Sequence, residues 1–149
     1  IKLLLVGGGE LEKEVHQWVN EYNLNNYVIF TGIRTDVPRL LQGMDVFLLP
    51  TLYEGFGNVF VEAQAAGLKT FASLEGVPKS TKLTDLIEYI SLDESPKIWA
   101  DKILKYQSGY KRESQIEKIR AAGFDVKKQA NALQKLYIDA YEDVIKKGF

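Results

Sequence analysis

The chain has 149 residues, of which 19 are Lys or Arg, 20 are Asp or Glu, and none is Cys. This length fits one globular domain, and the lack of cysteine excludes disulfides and thiolate chemistry. The formal net charge of −1 provides no global field that would attract nucleic acid or anionic lipid. We therefore expect a single cytoplasmic domain, residues 1–149, without a nucleic-acid partner.

The first third of the chain predicts two strands and two helices. Lys2–Val6 has the composition of a buried strand, and Val28–Thr31 that of a second one. Between them, one face of a predicted helix carries Leu11, Val15, Trp18, Val19 and Tyr22. A short helix is expected near Val37–Gln42. The single histidine, His16, has no partner at metal-ligand spacing, which favours a structural role.

A glycine-flanked turn follows the next predicted strand, Asp45–Leu49. Pro50 removes a backbone donor and should end that strand. Gly55 and Gly57 allow the backbone to bend sharply and a ligand to approach its N–H groups. Asn58 is expected to cap a helix that runs through Ala66.

The remaining residues extend the alternation of strands and helices. Strands are predicted at Leu68–Ser73 and Leu86–Ser91, and helices from Ser95 or Pro96 to Tyr106 and from Arg112 to Ala121. An amphipathic helix over residues 125–146 carries an apolar stripe of Val126, Ala130, Leu133, Leu136, Tyr137, Ala140, Tyr141, Val144 and Ile145. The pattern predicts an α/β fold, a Rossmann-like parallel sheet with helices on both faces and a long C-terminal helix.

Two glutamates, Glu54 and Glu62, flank the turn with seven residues between them. A helix N-terminus favours a phosphate or diphosphate. Carboxylates beside a diphosphate would repel it, so these two more plausibly accept hydrogen bonds from hydroxyl groups on either side. A nucleotide sugar has this layout, although a glutamate at either position can also serve only the helix or the solvent.

These residues resemble the retaining glycosyltransferases of family 4, whose GT-B fold has two Rossmann-like domains. The Glu-Gly-Phe-Gly turn and the second glutamate match the signature of their C-terminal, donor-binding domain. The resemblance also covers Leu4–Leu11, Val28–Gly32 with Asp36-Val37, and Asp45–Pro50. It extends from residue 2 to about 73, and the sequence Glu75–Lys79 departs from the family pattern, which leaves donor contacts after residue 74 open.

The resemblance implies a role for each matching residue. Glu54 would contact the hydroxyls of the donor sugar in the catalytic site, and Glu62 would hold the ribose. Ile33 and Arg34 would meet the nucleobase through their backbone. The turn and the start of the helix would bind the donor through Gly55, Phe56, Gly57, Asn58 and Val59. For Phe56, a role in the core and one in the pocket wall are equally compatible with the sequence.

The resemblance further implies a nucleotide-diphosphate sugar as substrate, no cofactor and no metal. Because the chain opens on a strand, we expect a fragment that lacks the first strand of the domain and the N-terminal acceptor domain. That missing part would carry an arginine and a lysine that clamp the diphosphate, and it would bring the protein to the inner face of the membrane. The isolated chain is expected to be inactive, and its C-terminal helix is a candidate for self-association.

Three functions from different classes remain open. The leading hypothesis is the donor domain of an enzyme that builds a polysaccharide or glycoconjugate. The alternatives are a GT-B nucleotide-sugar epimerase and a non-catalytic binding or assembly domain. A nicotinamide-binding reading of Gly7-Gly8-Gly9 is weak, because Glu12 occupies the last position of the G-x-G-x-x-G motif.

Overall fold

A computed structural model describes residues 1–146 of the chain, so the last three residues of the predicted domain lie outside the described part. It confirms an α/β fold in which every strand pair is parallel. The chain divides into two compact units, Ile1–Gly43 and Met44–Phe149.

The first unit is a two-stranded sheet with two helices. Its elements are β1 (Leu3–Leu5), α1 (Glu12–Glu21), β2 (Val28–Phe30) and α2 (Val37–Gln42). Within it only Val19 and Leu41 are buried apolar residues. The expectation of a buried first strand and a buried helix face is therefore wrong in part, since Leu3, Leu11, Trp18 and Tyr22 are exposed. Two short strands and two helices offer too little surface to cover them.

The second unit contains the remaining elements. These are β3 (Val46–Leu49), α3 (Asn58–Ala65), β4 (Lys69–Ser73), β5 (Ile87–Ile90), α4 (Pro96–Leu104), α5 (Ile116–Ala121) and α6 (Val126–Lys146). The strands form a parallel sheet in the order β3-β4-β5. Val46 pairs with Lys69, and Thr70 with Ile87.

Two apolar clusters cover the two faces of this sheet. One contains Phe60 of α3 and Ala72 of β4, and the other contains Phe71 of β4 and Trp99 of α4. Phe71 and Ala72 are consecutive strand residues, so their side chains point to opposite faces. The prediction of helices on both faces of the sheet is therefore confirmed for this unit.

Two sequence predictions of helix starts are wrong in an informative way. Asn58 is the first residue of α3 and makes no capping hydrogen bond, because the cap is Gly57. Helix α5 begins at Ile116 rather than at Arg112. Arg112 instead lies in the preceding loop, where its guanidinium donates to the carbonyl oxygens of Ala66 at 2.7 Å and Met44 at 3.0 Å.

The long C-terminal helix is present as predicted, and α6 spans 21 residues. None of its residues is buried, and its apolar stripe faces outward, with Tyr137 and Tyr141 each 68% exposed. Within residues 1–146, no helix is both long and apolar enough to cross a lipid bilayer.

Candidate functional site

The turn between β3 and α3 is shaped by one glycine. Gly57 has left-handed backbone angles, φ 76° and ψ 66°, and its carbonyl accepts a hydrogen bond from the Phe60 N–H at 2.9 Å. A Cβ at this position would lie 2.8 Å from Cγ of Glu54 and would also collide with the Phe60 ring. Gly57 is therefore required by conformation and by space, whereas a Cβ on Gly55 would meet nothing within 4 Å.

The backbone of this turn presents a group of unpaired donors. Within the described part of the chain, the N–H groups of residues 55–59 donate to no protein acceptor. The first N–H groups of any helix lack a partner in the helix and carry part of its positive end. Helix α3 also has no acidic residue in its first turn. This arrangement suits an anion such as a phosphate or diphosphate.

The two predicted carboxylates lie on either side of these donors along the chain. Glu54 is half-buried, and its side chain lies against the Cα of Gly57. Glu62 is exposed and stands four residues after the start of α3, about 6 Å along the helix axis. Among residues 1–146 neither glutamate makes an ion pair, so both carboxylates can accept hydrogen bonds from a ligand.

Phe56 has a structural contact on one side of its ring. The ring is half-buried and stacks on Phe124, with the ring centroids 5.5 Å apart and the planes at 15°. Its carbonyl oxygen accepts a hydrogen bond from Oγ1 of Thr81 at 2.8 Å. Part of Phe56 therefore fixes the turn to the rest of the unit.

The segments after β3, β4 and β5 are also joined to one another. Ser73 Oγ donates to the Thr51 carbonyl, and Gly76 packs so closely on that carbonyl that a side chain has no space. The Glu75 carboxylate accepts hydrogen bonds from Ser91 Oγ and the Leu92 N–H, which lowers the pKa of Glu75 below its ordinary value. The carboxyl ends of all three strands are thus tied together, the edge at which parallel sheets commonly bind ligands.

The departure from the family pattern at Glu75–Lys79 has its own contacts. The Lys79 ammonium lies 3.9 Å from the centre of the Tyr89 ring. The Tyr89 hydroxyl donates to the Pro78 carbonyl at 3.1 Å, and burial raises the pKa of Tyr89. These contacts hold the segment against β5.

Gln64, which the sequence reasoning missed, is the centre of a buried network behind the turn. Its side chain is fully buried, and Nε2 donates to the carbonyls of Phe60 at 3.0 Å and Thr81 at 2.9 Å. Its Oε1 accepts from the N–H groups of Leu83 at 3.1 Å and Thr84 at 3.0 Å. A polar residue among the apolar residues of the buried face of α3 was the sequence feature that could have indicated it.

The two residues predicted to meet a nucleobase lie in the first unit. Ile33 is exposed, and a Cβ added at Gly8 would lie 3.5 Å from its Cγ1. The Arg34 guanidinium donates two hydrogen bonds to Asp36, each 2.8 Å long. They hold the pKa of Asp36 below and that of Arg34 above its ordinary value. Contact of residues 33 and 34 with a base stays a prediction.

His16 has contacts of a structural kind. Its ring stacks on Phe30 with the centroids 3.7 Å apart, and its Nε2 lies 4.0 Å from Glu12 Oε1. In the described residues, no group of three or more His, Cys, Asp and Glu side chains is arranged to hold a metal ion.

Comparison with known proteins places this fold and turn in a family. The sequence model of the family described as "Glycosyl transferases group 1" matches residues 1–108. The chain is 33% identical over 138 residues to the putative glycosyltransferase EpsF of Bacillus subtilis strain 168. This match covers 91% of the chain and 36% of EpsF. It is 30% identical over 145 residues to the UDP-Gal:alpha-D-GlcNAc-diphosphoundecaprenol alpha-1,3-galactosyltransferase of Escherichia coli, with 91% and 36% covered.

A solved structure agrees with these relatives. The crystal structure of HepE from Anabaena in complex with UDP matches 91% of the chain and 41% of HepE, with a TM-score of 0.67 and 25% identity. The fold is thus that of the C-terminal half of a GT-B glycosyltransferase. The chain belongs to the group 1 glycosyltransferases, family 4, and spans 36% of the length of each of the two curated relatives.

Proposed function

We propose that the chain is the donor-binding part of a retaining glycosyltransferase, which moves a sugar from a nucleotide-diphosphate sugar to a polysaccharide or glycoconjugate acceptor. The observation that carries the proposal is the group of five N–H donors at residues 55–59, flanked by Glu54 and Glu62, for which residues 1–146 supply neither hydrogen-bond acceptors nor ion-pair partners. The N–H groups can bind the diphosphate of a nucleotide sugar, and the neighbouring carboxylates can accept hydrogen bonds from its sugar hydroxyls.

Each group then has one task. The N–H groups of Gly55, Gly57 and the start of α3 bind the sugar and the diphosphate. Glu54 accepts hydrogen bonds from the donor sugar, and Glu62 accepts them from the ribose. Ile33 and Arg34 contact the base through their backbone. UDP is the first nucleotide to test, because one relative is named for UDP-Gal and HepE was solved with UDP.

In the transfer reaction, the donor-binding half stabilises the departing diphosphate. Fixed N–H donors supply this stabilisation by lying where negative charge develops, without a metal or other cofactor. Glu54 orients the sugar rather than removing the acceptor proton. The remainder of a longer protein would supply the first strand, the acceptor domain, and the arginine and lysine that complete the diphosphate clamp, in the cytoplasm at the inner face of the membrane.

Without that clamp the isolated chain should bind weakly and not turn over. Each lost charge-assisted hydrogen bond removes about 1.5 to 3 kcal/mol, so two losses weaken binding roughly 10² to 10⁴-fold. Transfer of sugar by the purified chain, from any nucleotide donor to any acceptor, would contradict this part of the proposal.

Self-association through α6 is a further part of the proposal. Its support is the exposed apolar stripe, which includes Leu133, Leu136 and Val144. Sedimentation of the chain over a range of concentrations tests it, with Leu136→Lys as the variant. A monomer at all concentrations would contradict it.

The proposal is tested by titrating UDP, GDP, several UDP-sugars and NAD, at millimolar concentration, into the isotope-labelled chain and recording amide NMR spectra. A nucleotide sugar should shift the amides of residues 55–62, and Glu62→Ala should abolish or strongly weaken that response. Glu94→Ala is the matched control, because Glu94 is an exposed glutamate of the same unit outside the turn.

The outcomes separate the hypotheses. Shifts at residues 55–62 that depend on Glu62 support a donor site, and the strongest ligand identifies the nucleotide. Equal responses of both variants would show that the glutamate does not touch the ligand. No shift with any nucleotide sugar would overturn donor binding by the isolated chain, and the same titration of the longer protein would then separate an indispensable clamp from a non-catalytic assembly role.

A further inference from the structure

We propose that Thr81 is a positioning residue of the donor site, and that Gln64 holds it in place. Its hydroxyl would fix the peptide between Phe56 and Gly57 so that the Gly57 N–H faces the donor diphosphate. This inference rests on the proposed function, because it assigns a direction to the Gly57 N–H, one of the hydrogen-bond donors that the function requires.

The first step is the geometry of one peptide group. Thr81 Oγ1 donates a hydrogen bond to the Phe56 carbonyl oxygen at 2.8 Å. In a trans peptide, the C=O and the following N–H point in opposite directions, and the described chain has no cis peptide. The Gly57 N–H therefore points away from Thr81, and within the described residues it donates to no acceptor.

The second step is that this peptide needs a constraint. Gly57 tolerates both signs of φ with little penalty, so the peptide before it can rotate more easily than one beside a residue with a Cβ. A rotated peptide would direct the Phe56 carbonyl oxygen, a partial negative charge, to the place of the N–H. An anion at the start of α3 would then meet a repulsive group instead of a donor. The Thr81 hydroxyl opposes this rotation.

The third step is the support of Thr81 itself. Both Thr81 and Gln64 are fully buried. Gln64 Nε2 donates to the Thr81 carbonyl at 2.9 Å and to the Phe60 carbonyl at 3.0 Å. Since Phe60 and Gln64 belong to α3, these bonds fix Thr81 to the helix whose N-terminus forms the site. A single buried amide thereby joins the loop after β4 to α3, and the Thr81 hydroxyl joins the same loop to the turn after β3.

Thr84 offers a matched control within the same network. Thr84 is largely buried and its hydroxyl donates to Gln64 Oε1 at 3.1 Å, yet among the described residues this hydroxyl makes no hydrogen bond to Phe56. Thr81→Val removes the hydroxyl that reaches the turn, Thr81→Ser retains it, and Thr84→Val removes a hydroxyl that does not reach it. The unfolding free energy of each variant is measured by denaturant titration, so that binding is compared among folded proteins.

The experiment measures the dissociation constant for UDP by amide NMR, together with the Gly57 amide shift in the ligand-free chain. We expect Thr81→Val to weaken UDP binding about tenfold, the effect of one well-placed hydrogen bond, and to shift the Gly57 amide. Thr81→Ser and Thr84→Val should stay within about threefold of the original chain and leave that amide in place.

Each outcome decides the inference. It is overturned if Thr81→Val binds UDP like the original chain, or if Thr84→Val weakens binding as much as Thr81→Val does. If the original chain binds neither UDP nor any other nucleotide or nucleotide sugar of the titration, the proposed donor binding by this chain fails. In that case the ligand-free spectra still decide the positioning: an unmoved Gly57 amide in Thr81→Val overturns it, and a shift confined to Thr81→Val supports orientation of that peptide.

Discussion

The chain contains two glycine-rich turns from a strand into a helix, and they differ in what surrounds them. The turn at Gly7–Gly9 precedes α1, whose first helical turn carries Glu12 and Glu14. The turn at Gly55–Gly57 precedes α3, which has no acidic residue there. Two carboxylates at a helix N-terminus disfavour a bound anion, since they already interact with its positive end. The second turn is therefore the better anion site.

The two turns also differ in how firmly their shape is set. Gly7 and Gly57 both have a positive φ, 129° and 76°, that favours glycine, but a Cβ on Gly7 or Gly9 would meet nothing within 4 Å, whereas one on Gly57 would collide with Glu54 and Phe60. The buried amide of Gln64 supports the second turn, and no comparable buried polar side chain occurs among the described residues of the first unit. Three consecutive glycines are thus the more conspicuous sequence feature but the less constrained structure.

The largest expected effect comes from removing the support of the second turn. Gln64→Met keeps the approximate volume but leaves buried carbonyl and N–H groups unpaired, so we expect a loss of about 3 kcal/mol in unfolding free energy. Gln17→Met in α1 is the control, because Gln17 is exposed and, within residues 1–146, its side chain bonds only to Glu21. Denaturant unfolding measures the free energy of unfolding of both variants. Equally small losses in the two would show that the Gln64 network does not stabilise the fold more than a surface hydrogen bond does.

The second effect tests the shape of each turn directly. Gly57→Ala introduces a Cβ at φ 76° into an occupied space, and we expect a loss of about 2 kcal/mol in unfolding free energy. Gly9→Ala has free space around the new Cβ and should change stability by less than about 0.5 kcal/mol. Thermal and denaturant unfolding of the two variants give the comparison, which fails if Gly9→Ala is the more destabilising.

A smaller effect is expected from the aromatic contact beside the second turn. Phe124→Leu removes the ring that stacks on Phe56, which should cost about 1 kcal/mol and shift the Phe56 ring resonances. Ile33→Ala, beside Gly8 of the first turn, removes an 84% exposed side chain and should be nearly neutral. Similar losses of unfolding free energy for both substitutions would contradict the view that the second turn is more tightly packed than the first.

The smallest effect concerns acid. The Ser91 and Leu92 hydrogen bonds lower the pKa of Glu75, so its contribution to stability is present above the ordinary glutamate pKa of about 4.3 and is lost as pH falls through the lower folded-state value. Glu75→Gln should therefore reduce the loss of stability between pH 6 and pH 3. Asp36→Asn should do the same in the first unit, because Arg34 lowers the pKa of Asp36. Unchanged acid unfolding curves would contradict both.

Local sequence signals were enough to predict the order of the strands and helices of the second unit and the place of its glycine-flanked turn, but not every helix start. Pro50 follows the end of β3, and Gly67, with φ 78°, follows the end of α3; both residues act through their own backbone. The exposure of Leu3 and Trp18 could not be predicted, since an apolar pattern shows which face seeks burial but not whether enough surface exists to cover it. The assignment of Asn58 as cap was wrong because Gly57 already adopts the cap conformation.

The support of the candidate site was the part that sequence reasoning did not find. Thr81 reaches a carbonyl 25 residues earlier in the chain, and Gln64 reaches Thr81 across 17 residues. Contacts between residues so far apart in the chain leave no periodic pattern in the sequence. Nothing in the sequence distinguishes Thr81 from another threonine in a loop. The positions of Glu54 and Glu62 beside the donors followed from local spacing, while their assigned ligand contacts remain predictions.

The chemical type of the Gln64 network has a consequence for ionic conditions. Its side chains, Gln64, Thr81 and Thr84, are all uncharged. The shape of the turn should therefore be insensitive to salt concentration and to neutral or mildly alkaline pH, whereas the attraction of an anion to the helix end is screened within about 10 Å at 0.1 M salt. Raising the ionic strength should weaken ligand capture while leaving the geometry of the turn unaltered.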